Sequence, residues 1–200
     1  MNTRPFISRF SPQRTDPEAL EQILVQRGDL LQESVERVRE SVLTENKHHL
    51  LFIGPRGAGK THLVTLIQHR LKQQPDLDDK MRIAWLNEDE TATSFLKLLI
   101  LIYRDLSQRY PKDFPATDLE RIYGNKPDHA RELLGNSLLQ HLGARTLVVI
   151  MENLDALFED MPLEEQRTWR AFVQNHPVFA TVGTAQSRSA LSALATRSSW

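Results

Sequence analysis

The stretch Leu50-Leu51-Phe52-Ile53-Gly54-Pro55-Arg56-Gly57-Ala58-Gly59-Lys60-Thr61 decides the fold. Four apolar residues in a row ending at a glycine read as a buried strand of a parallel sheet. From Lys60 to about Gln73, Leu63, Leu66, Ile67 and Leu71 recur at helical spacing, and Gln74-Pro75-Asp76 closes that helix. Between strand and helix, Gly54 to Thr61 satisfies every fixed position of G-x-x-x-x-G-K-[ST], in the strand-to-helix setting that gives the pattern its meaning. Gly54, Gly57 and Gly59 can adopt backbone angles that turn successive N–H groups inward, which makes a concave anion nest. The helix that follows adds its positive N-terminal dipole. Lys60 brings a point charge with reach to β- and γ-phosphates, and the Thr61 hydroxyl is suited to ligate Mg²⁺. The expected nucleotide cradle is Gly54, Pro55, Arg56, Gly57, Ala58, Gly59, Lys60, Thr61 and His62.

Outward from this loop, strands and helices alternate. Leu31, Val35, Val38 and Val42 form a helical stripe ahead of it, with Gly28-Asp29 breaking a preceding helix (opened by Asp16-Pro17) and capping this one. Downstream, strands are expected at Met81 to Leu86, Leu147 to Met151 and Val178 to Val182. Helices are expected at Thr91 to Arg109, Asp118 to Tyr123, Pro127 to Leu142, Pro162 to Gln174 and Ser187 to about Arg197. Leu133, Leu134, Leu138 and Leu142 are expected on one face. Crossovers of this length imply an α/β fold: a parallel sheet with helices on both faces. Residues 1–15 read as an irregular arm and 16–200 as one core.

Composition excludes other classes. The 200 residues hold 25 Lys and Arg against 26 Asp and Glu, a net charge of −1, which argues against a chain whose main task is coating nucleic acid. With 40% apolar residues, 8 Gly and 10 Pro, it is neither collagen-like nor low-complexity. The absence of cysteine excludes disulfides, thiolate zinc sites, iron–sulfur clusters and cysteine nucleophiles, and fits a cytoplasmic location. The most apolar stretch, Phe95 to Tyr103, is interrupted by Lys97 and falls short of the roughly 20 residues a bilayer span needs. No membrane association is expected.

Phosphate chemistry on such a loop needs a carboxylate at the end of a neighbouring strand. The candidate is Leu147-Val148-Val149-Ile150-Met151-Glu152-Asn153-Leu154-Asp155. In one register Glu152 takes the metal position and Asn153 the water-activating one; in the other, Met151 and Glu152 take them. Either way one acid is missing, and Asn is no general base. Asp155 reads best as the cap of the helical turn that follows. Nucleotide binding is therefore the firmer expectation, and hydrolysis the weaker.

These residues resemble the AAA+ class of P-loop ATPases, on its STAND and origin-initiator side and among bacterial mobile-element and defence ATPases. The resemblance spans about Thr15 to Ser199. Gly54 to Thr61 is similar to Walker A, and Glu152-Asn153-Leu154-Asp155 to a variant Walker B. Gln26-Arg27-Gly28-Asp29-Leu30-Leu31 resembles the box that packs near adenine, and Ala84-Trp85-Leu86-Asn87 the second strand ending in Asn. Thr184 and Gln186 fall where the class places its γ-phosphate sensor. The resemblance implies a three-layer P-loop core with ATP and Mg²⁺ as cofactors. Lys60, Glu152 and Thr184 would be the catalytic residues, and Thr61 and Glu152 the metal residues. It also implies a fifth strand and a helical lid beyond Trp200, and an arginine finger for which Arg197, then Arg188, is the candidate; a solvated surface arginine is the preferred reading of both. Expected partners are ATP and a homo-oligomer or multiprotein complex, with DNA reached only through regions outside this chain. A nucleotide-gated interaction module with little hydrolysis is the alternative. A metabolite kinase is a weaker third, since neither an acceptor pocket nor an arginine-rich lid is seen.

Other signals are set aside. Asn125-Lys126-Pro127-Asp128 matches a guanine-reading pattern but precedes the acidic strand, so it reads as a turn opening a helix. The seven histidines show no metal-ligand spacing. Glu88-Asp89-Glu90 reads as N-terminal charge of the next helix. Arg4, Arg9 and Arg14 are three charges in an arm, which is weak support for a DNA contact.

Overall fold

A computed structural model describes residues 27–187. Its elements run α1 (Gly28–Leu43), β1 (His49–Ile53), α2 (Lys60–Lys72), a 3-10 turn (Pro75–Leu77), β2 (Met81–Leu86), α3 (Phe95–Arg109), α4 (Thr117–Arg121), α5 (Pro127–Leu142), β3 (Thr146–Met151), α6 (Leu154–Leu157), α7 (Leu163–Asn175) and β4 (Phe179–Ala185). The four strands form one parallel sheet in the order β1-β4-β3-β2. After β1 the chain crosses to β2 at the far edge and returns through β3 to β4. Such a reversal of strand order leaves a crevice beyond the strand C-termini, the usual ligand position in open α/β sheets.

The pleat sorts side chains into two cores. Ile83, Trp85, Val148, Ile150, Ala180 and Val182 face α1 and α2, meeting Leu31, Val35, Val38, Leu63, Leu66 and Ile67. Ala84, Leu86, Leu147, Val149, Met151 and Phe179 face α3, α5 and α7, meeting Leu98, Leu99, Ile102, Leu134, Leu138 and Trp169. Both faces are therefore covered, and the three-layer α/β expectation holds. β2, an edge strand among the described residues, has its outward N–H groups covered by α3 and the residue after it: Asp105 accepts from Trp85 N at 2.8 Å and the Tyr110 hydroxyl from Ile83 N at 3.3 Å. Side-chain cover of this kind blunts an edge against pairing with another chain.

Several elements differ from the sequence reading. β1 is half-buried and ends on an exposed Ile53, because it too is an edge strand among the described residues. Arg27, not Asp29, stands at the N-cap of α1; Asp29 lies in the first turn, where its charge meets the positive end of the helix dipole. α3 begins at Phe95, not Thr91, because the Ser94 hydroxyl accepts the Lys97 N–H and because Ala92 N–H donates instead to Leu157 O. Glu88-Asp89-Glu90 consequently sits in a turn before that helix, with Glu90 paired to Arg104 at 2.7 Å. Leu133 is 36% exposed, while Leu134, Leu138 and Leu142 are buried. β4 extends to Ala185 and so takes in Thr184. Lys126 and Pro127 open α5, as the turn reading requires. The arm, the Asp16 helix, the helix after Ser187, Arg188 and Arg197 lie outside the described residues.

Candidate nucleotide-binding site

β1 delivers the glycine loop to the centre of the crevice. Gly54 N–H donates to Ala185 O at 3.1 Å, which ties the loop to the end of β4. Gly57 and Gly59 take φ of +81° and +77°, angles that L side chains resist, and Gly59 is the N-cap of α2. The loop thus turns straight into the helix N-terminus, leaving the first α2 amides without helical acceptors. Lys60 Nζ donates to the carbonyls of Gly54 at 2.6 Å and Pro55 at 2.9 Å. Burial pushes the Lys60 ammonium below its ordinary pKa, against an opposing pull from the Asp155 carboxylate. The Arg27 guanidinium donates to Ala58 O at 2.7 Å and clamps the loop from the α1 side. Pro55, Arg56 and Gly57 are exposed, whereas His62 is buried at the start of α2.

β3 delivers the carboxylate. Glu152 continues the face of Val148 and Ile150, toward α2, and is only 3% exposed. The Thr61 hydroxyl donates to Glu152 Oε2 at 2.9 Å. The Trp85 indole Nε1–H donates to Glu152 Oε1 at 2.7 Å in a fully buried contact. Met151 points into the opposite core, paired between Leu86 and Gly183.

Of the two polar residues that follow, Asp155 departs from its expected role. Asn153 adopts a left-handed backbone (φ 49°, ψ 57°) at the N-cap of α6, without a side-chain cap. Its N–H donates to Thr184 Oγ1 at 3.0 Å. Asp155 does not cap α6. Its carboxylate reaches across to accept the Gln186 N–H at 2.5 Å and the Ser187 hydroxyl at 2.7 Å. Desolvation pushes the Asp155 carboxyl up, but these hydrogen bonds outweigh it and hold it below its ordinary range. The Gln186 side-chain amide lies 3.4 Å from Asn153 Oδ1. Lys60, Thr61, Glu152, Thr184 and Gln186 are thus gathered at one end of the sheet, from β1–α2, β3 and β4. Sequence reasoning missed the roles of Trp85 and Arg27. The parity of β2 against β3 would have put Trp85 on the Glu152 face, had the register been available.

Residues 43–190 match the AAA domain family model. The chain belongs to the AAA domain family. No curated protein is matched by the chain. Among solved structures, this AAA domain is similar to the Aeropyrum pernix ORC2 protein in its ADPNP–ADP complexes, with a TM-score of 0.62, 16% identity, and 85% of this chain covering 43% of that one. The Aeropyrum pernix ORC1 protein in complex with DNA gives a TM-score of 0.57 and 16% identity over 92% of this chain and 44% of that one. Cdc6p from Pyrobaculum aerophilum gives 0.57 and 16% over 90% and 45%. At this identity the likeness is one of fold. The chain spans less than half the length of each of these proteins. Among the described residues no group of three or more His, Cys, Asp or Glu side chains is placed to hold a metal. No helix among them is long and apolar enough to cross a membrane.

Proposed function

We propose that this AAA domain binds ATP with Mg²⁺ on the Gly54–Thr61 loop, hydrolyses it, and uses the cycle to drive or regulate assembly of a larger complex. The observation that carries the reading is the Thr61–Glu152 hydrogen bond beside the glycine loop. Two hard oxygen donors 2.9 Å apart suit Mg²⁺, which keeps its waters and leans on substrate phosphates. Bound there by Thr61 and Glu152, the ion would neutralise charge on the β- and γ-phosphate oxygens.

The protein groups have separate tasks. The loop amides and the α2 N-terminus hold the phosphates. Lys60 exchanges its contacts with the Gly54 and Pro55 carbonyls for phosphate oxygens. Glu152 accepts from both the Thr61 hydroxyl and the Trp85 indole. Thr184 and Gln186 face the γ-phosphate side. Hydrolysis is attack of water on the γ-phosphorus with departure of ADP, and the proton of that water passes to solvent or phosphate, because Asn153 cannot accept it.

A second reading is favoured by Asn153. An amide in place of an acid, beside a carboxylate already holding two donors, favours a nucleotide-gated switch that seldom cleaves ATP. DNA contact is proposed only for parts of the protein outside this chain, and self-assembly or a protein partner for the domain itself. A cytoplasmic location is part of the same reading.

Calorimetry of Lys60→Ala tests binding: loss of measurable ATP affinity is expected, and wild-type affinity would remove the assignment. Phosphate release at saturating ATP separates the two readings. Sustained turnover that falls in Glu152→Gln supports hydrolysis, and its absence in wild type supports the switch.

A further inference from the structure

Trp85 is more than a core residue. It is 4% exposed, on the α2-facing side of β2, opposite Ile150 in register. Its indole reaches one step further along the sheet, to Glu152. An indole N–H is a donor only, so it can bond Glu152 solely through a carboxylate oxygen. The strand beneath it is also held, since Trp85 N–H donates to Asp105 Oδ2, and Asp105 is paired with Arg109 at 2.7 Å. The main chain that carries the indole is therefore anchored on the α3 side. Oε1 goes to the indole, and Oε2 is turned to Thr61.

We infer that Trp85 is a positioning residue for Glu152: its indole N–H takes one carboxylate oxygen and thereby presents the other at the Thr61 hydroxyl, the side on which the metal-bound nucleotide is held. This rests on the reading of Thr61 and Glu152 as the Mg²⁺ side of the site. The chemistry is that of an outer partner orienting a ligand, whose removal costs about 10-fold to 100-fold in metal affinity.

The test is the ratio of the ATP dissociation constant in EDTA to that in excess Mg²⁺, measured by calorimetry for wild type and Trp85→Phe. The phenyl ring keeps most of the buried bulk and removes the N–H. Loosened packing weakens both constants together and leaves the ratio where it was. Lost positioning lowers the ratio, by about 10-fold or more. A ratio in Trp85→Phe equal to that of wild type overturns the inference. A wild-type ratio of one is a different failure: it removes the Mg²⁺ reading of Thr61 and Glu152, and the inference with it.

If Trp85→Phe does not fold, the indole N–H resonances of ¹⁵N-labelled protein carry the test. Glu152→Gln should move one of them, which assigns it to Trp85. In wild type saturated with ATP, addition of Mg²⁺ should then move that same resonance. No indole shift in Glu152→Gln, or an unmoved Trp85 resonance on Mg²⁺ addition, overturns the inference.

Discussion

The Asp155 carboxylate accepts the backbone N–H of Gln186 at 2.5 Å, joining the loop after β3 to the end of β4. Its other oxygen takes the Ser187 hydroxyl. The two chain segments that flank the γ-phosphate side of the proposed site are thereby one unit. Asp155→Ala leaves the Gln186 N–H without this acceptor, and hydrogen bonds to charged groups contribute roughly 1.5–3 kcal/mol. Urea unfolding should show a loss of about that size, and hydrogen exchange should show Gln186 losing protection ahead of the β4 core. Protection equal to wild type would mean that the carboxylate is not what holds the segment.

Asn153 precedes that unit in a left-handed conformation, the one non-glycine residue among the described ones with positive φ. Left-handed backbone costs an ordinary L residue about 1–2 kcal/mol, and Asn less than most. Asn153→Ala should therefore destabilise by about 1 kcal/mol, while Asn153→Gly should be neutral or slightly stabilising. The thermal midpoints of the two variants check the order. Ala above Gly would show that the left-handed angle does not set the order.

These two residues show what one sequence can and cannot reveal. The glycine loop was legible because its chemistry is local: positive φ at Gly57 and Gly59 must be written as glycine, and Lys60 and Thr61 follow at fixed offsets. β2 was legible at both ends because Met81 to Leu86 is apolar but for Arg82 and lies between polar turns. Asp155 was misread because a carboxylate at the start of a helical turn resembles a cap, and only the crossing from β3 to β4 shows the acceptor role. The start of α3 was misplaced because Ala92 gives its N–H to Leu157, a contact 65 residues away in sequence. Trp85 on Glu152 depends on strand register, which a single sequence does not record.

Arg27 belongs to the same class of unseen contact. Its guanidinium holds Ala58 O at 2.7 Å and lies 3.8 Å from where a Cβ on Gly59 would stand. Arg27→Ala should loosen the loop without removing Lys60 or Thr61. A weakening of ATP binding by about 10-fold to 100-fold is expected if the loss of one charged hydrogen bond, roughly 1.5–3 kcal/mol, is felt in full at the phosphate site. Calorimetry against wild type decides it, and an unchanged affinity would make the contact incidental.

Gly135 tests the packing of α5 on α7. A Cβ there would stand 3.4 Å from Phe172 Cε2 and 4.0 Å from Leu99 Cδ1, which is ordinary contact. Gly in a helix interior costs about 1 kcal/mol relative to Ala. Gly135→Ala should raise stability by up to about that amount. Gly135→Leu must displace the Phe172 ring and should lower stability by about 1–3 kcal/mol. Chemical denaturation of the pair checks both signs, and destabilisation by Ala would place Phe172 under tighter constraint than its distance indicates.

The far end of that layer holds a buried carboxylate. Asp118, 5% exposed, accepts Tyr103 Oη at 2.8 Å and His141 Nε2 at 2.7 Å on one oxygen and Arg121 Nη1 at 3.2 Å on the other. Burial pushes its carboxyl up, but Tyr103, His141 and Arg121 outweigh that and hold it below its ordinary value. A carboxyl lowered in the folded state stabilises above its unfolded pKa, about 3.9, and loses that contribution as pH falls through the folded value. Tyr103 shifts the other way, raised by burial and then by Asp118. Its contribution is complete below its unfolded pKa, about 10, and is lost as pH rises beyond that. Asp118→Asn should therefore flatten the acid limb of stability against pH. Tyr103→Phe should flatten the alkaline limb and cost about 1–3 kcal/mol near neutrality, by depriving a buried carboxylate of a donor. Unfolding free energies measured across pH for the three proteins test this, together with absorbance titration of the 3 tyrosines. One tyrosine should resist ionisation until the protein unfolds and should be missing from Tyr103→Phe. Three tyrosines ionising together near their ordinary value in folded protein would remove the Tyr103–Asp118 bond as the cause.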